Sequence, residues 1–274
     1  MPTESVAADA GLTERFRRWP RARRRGMMAA AMATGLRMMQ GDERAVGFAV
    51  LDWHARPRPS STPIEGRYCR IEKLSAARHA AELFAASAGA PENWTWLPHE
   101  PPADFAAYRR WAEAVAETDD PLFHAVIDRA SGRAAGVAAL LRIDSANGVI
   151  EVGHIHFAPV LQRTRAATEA IFLLMRRVFD ELGYRRFEWK CDSLNAPSRR
   201  AALRFGFTFE GIFRQAVVYK GRNRDTAWFS IIDKEWPHLA QGYARWLDPA
   251  NFDAAGRQRI GLAAALGRAA ERRP

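Results

Sequence analysis

The chain has 274 residues, of which 48% are apolar and 26% charged, an ordinary soluble globular composition with room for one good-sized domain and its extensions. The formal charge is +10, but residues 1–63 carry 11 Lys and Arg against 6 Asp and Glu, residues 64–235 carry 24 against 22, and residues 236–274 carry 6 against 3. The excess sits at the ends, so charge does not mark a nucleic-acid binder, and no apolar run approaches the roughly 18–20 residues of a membrane span.

Residues 1–44 mix Arg, Ala, Met and Gly without periodicity and are expected to be a basic, disordered extension with one short helix around Met27–Met39. The run "RRRGMMAAAMATGLRMMQ" is too short in its apolar part for a secretory leader. Residues 45–63 hold an apolar segment, "VGFAVLDW", expected to dock on the domain, and a linker, "RPRPSSTP". From Ile64 the pattern becomes regular. "GRYCRIEKL" reads as a strand, and Ser75 is the expected N-cap of the helix "AARHAAELFAASA". A loop, "ENWTWLPHEPPADF", leads into a second helix, "FAAYRRWAEAVAE". Three strands follow as a meander, joined by the turn-forming "RASGR" and "DSAN".

The longest helix opens near Thr164, with Ile171, Leu174, Met175, Val178 and Leu182 on one face and Gly183 as its C-cap. A strand "RRFEWKC", a short helix "SRRAALRF" and a hairpin across "KGRNR" complete the series, and "EWPHLAQGYARWL" reads as a terminal helix. This order predicts an α/β (α+β) domain over residues 64–235, with a mixed, mostly antiparallel sheet of about seven strands and helices on both faces. Residues 236–274 are expected to form a helix and a basic tail. Cys69 and Cys191 have neither disulfide nor zinc spacing and read as reduced thiols of a cytoplasmic protein.

Three features converge on one cleft. In "QRTRAATEA" Arg163 and Arg165 sit at the positive end of the long helix, where each costs roughly 0.3–1 kcal/mol unless an anion answers it. The strand "EVGHIHFAP" runs into that helix start, a ready phosphate site. "NAPSRR" puts Ser198 in the first turn of the next helix, and Glu151 is a carboxylate in an otherwise apolar strand.

Together, "QRTRAATEA" and "NAPSRRAALRFGFTFEGIFRQ", with the order of elements, resemble the GNAT superfamily of acetyl-CoA-dependent N-acetyltransferases, and its RimJ/RimL-type branch in particular. The resemblance spans about Ile64 to Trp236. Its N-x-x-S…GF-x-x-E-G run is carried by Asn195, Ser198, Gly206, Phe207, Glu210 and Gly211. It implies that the pantetheine of acetyl-CoA pairs with the backbone of Ile155, His156 and Phe157, and that the pyrophosphate sits on Gln162, Arg163, Thr164, Arg165, Ala166 and Ala167. The chain departs from the family at that turn, with arginine at two positions, 163 and 165, where glycine is usual. A guanidinium binds phosphate bidentately, which would compensate the arginine pair; the alternative is that both side chains point into solvent.

The resemblance further implies catalytic roles for Glu151 and Ser198, as general base and as proton donor to the CoA sulfur. Glu151, in apolar surroundings, suits base catalysis. It could equally pair with Arg142 on the neighbouring strand, and Ser198 could merely serve its helix. Asn195 would bind the CoA arm or shape the turn, and backbone N–H groups near Ile155 and Phe157 would hold the thioester oxygen. His154 and His156 lie on one strand face, opposite Glu151 unless a bulge intervenes. They lack a third metal ligand, so no metal is expected, though His154 could assist as a base. Cys191 reads as a buried inert thiol. Trp94, Trp96, His99 and Tyr219 are expected to line the acceptor pocket, or to pack as a lid.

The implied reaction moves acetyl from acetyl-CoA to a primary amine, either a protein N-terminal α-amine or a small molecule, by direct attack. A degenerate CoA-binding scaffold or sensor is the rival reading. A ribosome- or nucleic-acid-associated module using the basic arm is disfavoured. No membrane partner is expected, and a homodimer is compatible with the sequence.

Overall fold

A computed structural model describes residues 37–38 and 45–268, which fall in two compact units meeting at His54 and Ala55. In the first, β1 (Arg37–Met38) pairs antiparallel with β2 (Ala45–Val46), so the end of the helix expected around Met27–Met39 is strand. The rest of that helix lies outside the described residues.

The second unit is built on one sheet of eight strands, ordered β3-β4-β5-β6-β7-β8-β10-β9. In chain order it comprises β3 (Ile64–Glu65), β4 (Cys69–Lys73), α1 (Ala76–Ala86), a 3-10 turn (Pro91–Trp94) and α2 (Phe105–Ala116). The meander β5 (Leu122–Asp128), β6 (Arg133–Asp144) and β7 (Val149–Phe157) follows. Then come α3 (Arg165–Arg176), β8 (Arg186–Asp192), α4 (Ala196–Arg204), the hairpin β9 (Thr208–Tyr219) and β10 (Arg222–Ile232), α5 (Trp236–Leu247) and α6 (Leu262–Ala265). Within the sheet only β7 and β8 run parallel. The fold is a mixed, mostly antiparallel sheet, as the element order implied. The additional strand, β3, is two residues long and leaves no period in the sequence.

Both faces are covered, as alternation along β6 shows. Val137 and Ala139 pack against Leu83, Tyr108 and Ala112 of α1 and α2, while Ala138 and Leu140 join Ile171, Leu174 and Tyr243 of α3 and α5. Gly183 ends the long helix at φ 68°, and the last turn before it widens to a π turn over Arg177–Glu181. Ser75 stands at the N-cap position of α1 without capping through its side chain; its N–H instead donates to His79 Nδ1 at 3.1 Å.

One buried carboxylate fixes the start of α3. Glu169 accepts the backbone N–H groups of Arg67, Tyr68 and Cys69, at 2.9, 2.6 and 2.8 Å, wrapping the β3–β4 turn around itself. Its side chain leaves no room for a Cβ at Gly66. Beyond α5, part of residues 248–268 packs on the domain. Leu262, Ala265 and Leu266 are buried on the core, and Gly242 admits them, since a Cβ there would lie 2.6 Å from the Ala265 carbonyl. The apolar residues of this segment are too few to form a legible stripe.

Candidate active site

Parallel pairing joins Val149–Val152 of β7 to Arg186–Trp189 of β8 and then stops. Against β6, Gly153 faces Ala139 whereas His156 faces Val137, so β7 carries one extra residue, and His154 takes a left-handed φ of 48°. This bulge is the one that would change the face of the histidines: it brings His156 to the Glu151 side. It also turns Gly153–Phe157 away from β8, leaving a backbone edge on which an extended ligand can add as a strand. Ile155, His156 and Phe157 lie on that edge.

The edge leads to the start of α3. Arg163 adopts φ 63°, so the backbone keeps the conformation for which glycine is usual even though the side chain is arginine. Thr164 caps the helix, its Oγ1 accepting from Ala167 N at 3.1 Å. Gln162 Nε2 ties the turn to the Phe157 carbonyl at 2.9 Å and to Asn93 at 3.1 Å. Gln162 N and Thr164 N are taken by Ala158 and Leu161 carbonyls, whereas the N–H groups of Arg163, Arg165 and Ala166 have no acceptor among the described residues. Three free N–H groups at a helix start suit an anion.

The Arg165 guanidinium lies 4.9 Å from the ring centre of Tyr68 and 4.6 Å from that of Phe252, so it is anchored rather than loose in solvent. Arg204, which sequence reasoning passed over, reaches the same turn by donating to Thr168 Oγ1 at 3.2 Å. Among the described residues no carboxylate stands within ion-pair distance of Arg163, Arg165, Arg200 or Arg204. Free N–H groups and uncompensated guanidinium groups together fit a polyphosphate.

Glu151 is buried but not in apolar surroundings, which corrects the premise of its role as base. Its Oε2 pairs with Arg142 at 2.7 Å and with Lys190 at 2.9 Å, and Lys190 also binds Glu188 at 2.7 Å. The Arg142 pairing was one of the two readings of the sequence; the Lys190 contact was not foreseen. Asn195 spends its side chain as the N-cap of α4, accepting from Ser198 N at 3.0 Å. Ser198 Oγ accepts from Trp189 Nε1 at 3.0 Å. Burial pushes the Cys191 thiol up, against a hydrogen bond from Ser198. Cys69 and Cys191 are both buried free thiols.

Around the bulge, aromatic rings form a connected series. Trp94 stands 4.3 Å from His156 and 5.4 Å from His99; Trp111 is 5.6 Å from His99 and 6.0 Å from Phe123, which is 5.1 Å from His154. Trp111 was missed, although Tyr108 and Trp111 at i and i+3 marked the buried face of α2. Trp96 joins none of these ring contacts. His99 Nε2, His154 Nδ1 and His156 Nε2 are buried without partners. Burial, and after it the His99 charge, pushes His154 and His156 down to about 4, so both rings are neutral acceptors. Tyr219, the fourth expected pocket residue, donates to the buried Asp192 at 3.1 Å. Among the described residues no His, Cys, Asp and Glu group is arranged to hold a metal, and no helix is long and apolar enough to cross a membrane.

Residues 70–208, just over half of the chain, match the family described as acetyltransferase (GNAT) domain. The chain belongs to the GNAT family. It is 56% identical to a GCN5-related N-acetyltransferase from Brucella melitensis, over 80% of this chain and 100% of the other, with a TM-score of 0.78. A probable GNAT-family acetyltransferase from Chromobacterium violaceum is 43% identical over 69% of this chain and 95% of its own, with a TM-score of 0.65. The SPbeta prophage-derived uncharacterized N-acetyltransferase YokL of Bacillus subtilis is 29% identical over 128 residues, 47% of this chain and 71% of YokL. Within this GNAT domain the bulged β7 and its open edge lead directly into the capped start of α3.

Proposed function

We propose that this GNAT domain is an acetyl-CoA-dependent N-acetyltransferase of the RimJ/RimL type that modifies a primary amine, on a protein N-terminus or a small molecule. The observation that carries it is the open β7 edge at Gly153–Phe157 running into three free N–H groups and uncompensated arginines. Acetyl-CoA supplies an acetyl thioester. Backbone N–H groups of Ile155–Phe157 orient its carbonyl, while Arg163, Arg165 and Arg204 answer the phosphates. Trp94, His99 and Trp111 wall off water around the acceptor amine. His154, neutral and unpartnered at Nδ1, accepts a hydrogen bond from the attacking neutral amine and relays to solvent the proton that the nitrogen sheds once the new C–N bond has made it strongly acidic. This falls to His154 since Glu151 is occupied by two cations and serves as an electrostatic anchor. We assign Ser198, its oxygen fixed by Trp189, the return of a proton to the departing sulfur. Two buried free thiols accord with a reducing, cytoplasmic setting.

Thermal unfolding with and without acetyl-CoA tests this reading. Ligand at about 100 times its Kd adds roughly 2.7 kcal/mol, a rise of several degrees, and Arg163→Ala/Arg165→Ala shrinks that rise. No rise in the unmodified protein overturns the proposal. The ion-paired state of Glu151 favours one rival, a CoA-binding domain without turnover. A thermal rise with no CoA release across a broad amine panel would decide for that rival.

A further inference from the structure

One row of polar groups takes no part in that reaction. On β10, Arg224, Thr226 and Trp228 alternate onto a single face, and each holds a buried polar atom without a partner: Arg224 Nε, Thr226 Oγ1 and Trp228 Nε1. Isolated orphans of this kind are rare in folded proteins, and three in succession on one strand point to a ligand. Thr226 is 4% exposed, and neither a hydrogen bond nor an ion pair engages the Arg224 guanidinium among the described residues. The Tyr219 ring centre lies 5.9 Å from that guanidinium.

The row is continuous with the reaction centre. The Trp228 ring lies 3.8 Å from Lys190 Nζ, and that nitrogen lies 2.9 Å from Glu151 Oε2. At the other end the Arg224 charge is among those that act on His154. The groups along the row are donors, and the charged one is a cation whose planar fork matches an oxyanion. The sign of that anion follows from Arg224, and its charge is limited by Asp192, which is buried directly opposite Thr226 in the β8–β10 register. A dianionic phosphate would meet this carboxylate at close range, whereas a singly charged carboxylate is answered by the single uncompensated guanidinium.

We propose that Arg224 and Thr226 bind a carboxylate carried by the acceptor itself, so that the acetylated molecule is an amine with a carboxylate group, such as an amino acid or a short peptide with a free C-terminus. This rests on the transferase reading of the same cleft. It excludes simple polyamines and makes Arg224 the residue that sets specificity.

Calorimetric titration of the full-length protein tests it in two stages. CoA is titrated first; failure to bind it overturns the transferase reading and this inference with it. The CoA-loaded protein is then titrated with matched pairs, phenylalanine against phenylalaninamide, alanyl-alanine against its C-terminal amide and lysine against cadaverine, and with phosphoethanolamine. The expected result is carboxylate binding at least tenfold tighter than the matched partner. Arg224→Gln and Thr226→Val erase that preference while CoA affinity stays within twofold, and Arg224→Lys restores part of it. Equal affinity within the pairs, absence of binding by every carboxylate, or tighter binding of phosphoethanolamine overturns the proposal.

Discussion

Lys220 Nζ donates to the carbonyl of Trp94 at 2.9 Å, fastening the tip of the β9–β10 hairpin to the Trp-rich loop. The tip is a two-residue turn with positive φ at both Lys220 (49°) and Gly221 (68°), a conformation that matches the twist of its strands. The hairpin is thereby held to the loop by a hydrogen bond from a charged group, worth about 1.5–3 kcal/mol. Glu100 lies 3.5 Å from the same nitrogen, and in the proposed reading this fastening closes the acceptor side. Lys220→Met keeps the aliphatic stem and removes the donor. Steady-state kinetics should show acceptor KM raised about tenfold, with CoA affinity unchanged in a parallel titration. A loss of CoA affinity of the same size would show that the hairpin supports the other half of the site.

Glu169 is expected to be a folding residue rather than a reacting one. Glu169→Ala strands three backbone donors in the β3–β4 turn, costing about 3–5 kcal/mol and lowering Tm by roughly 6–15 °C. Glu169→Gln keeps an acceptor and should lose less than half of that. Differential scanning calorimetry gives both numbers, and equal losses would mean that charge, not acceptor geometry, holds the turn.

Buried imidazoles make the fold sensitive to acid. His124, His154 and His156 are each pushed down to about 4, chiefly by burial. The folded-state values lie below the unfolded value of about 6.5, so as pH falls the unfolded chain takes up protons first. The stability that comes from keeping the rings neutral is therefore complete above about pH 6.5. It drains away between there and about pH 4, by up to about 1.4 kcal/mol per pH unit for each ring. A plot of Tm against pH should fall through that window, and His154→Gln/His156→Gln should flatten it. An undiminished slope in the double variant would assign the acid sensitivity to His124 and other groups.

Arg163 separates backbone from side chain. In the left-handed conformation a non-glycine residue costs about 1–2 kcal/mol, so Arg163→Gly should be more stable than Arg163→Ala by about that amount, or 2–6 °C in Tm. Arg165→Ala, in contrast, loses packing on two rings and should cost about 1–2 kcal/mol. Equal Tm values for the two position-163 variants would mean that the turn relaxes once the arginine is gone.

Much of the architecture is written locally. The apolar stripe of α3, the glycine that ends it and the turn chemistry of the meander each sit within a few residues of what they specify. Arg142 was foreseeable as a partner of Glu151, because a meander brings its neighbouring strands together. Lys190 was not, since it reaches Glu151 from the parallel neighbour, whose register no local signal encodes. The bulge was equally hidden: His154 carries the positive φ, and no glycine announces it. Arg204 reaches Thr168 across 36 residues of sequence, and the orphaned row on β10 emerges only when burial is known for each atom. The family motif pointed to the junction of β7 and α3; the charges around that junction come from contacts made at long range.

Phe252 comes after every strand of the sheet, yet its ring lies 4.6 Å from the Arg165 guanidinium and packs edge-on against Trp246. A residue past the last strand thus packs on the start of α3. A protein cut after Leu247 would retain all eight strands and both sides of the acceptor cleft, while Arg165 would lose one of the two surfaces that aim it. If the start of α3 is the phosphate site, as proposed above, boundaries drawn from the family match alone would weaken coenzyme binding, and an affinity tag fused close behind residue 252 would stand beside that site rather than far from it.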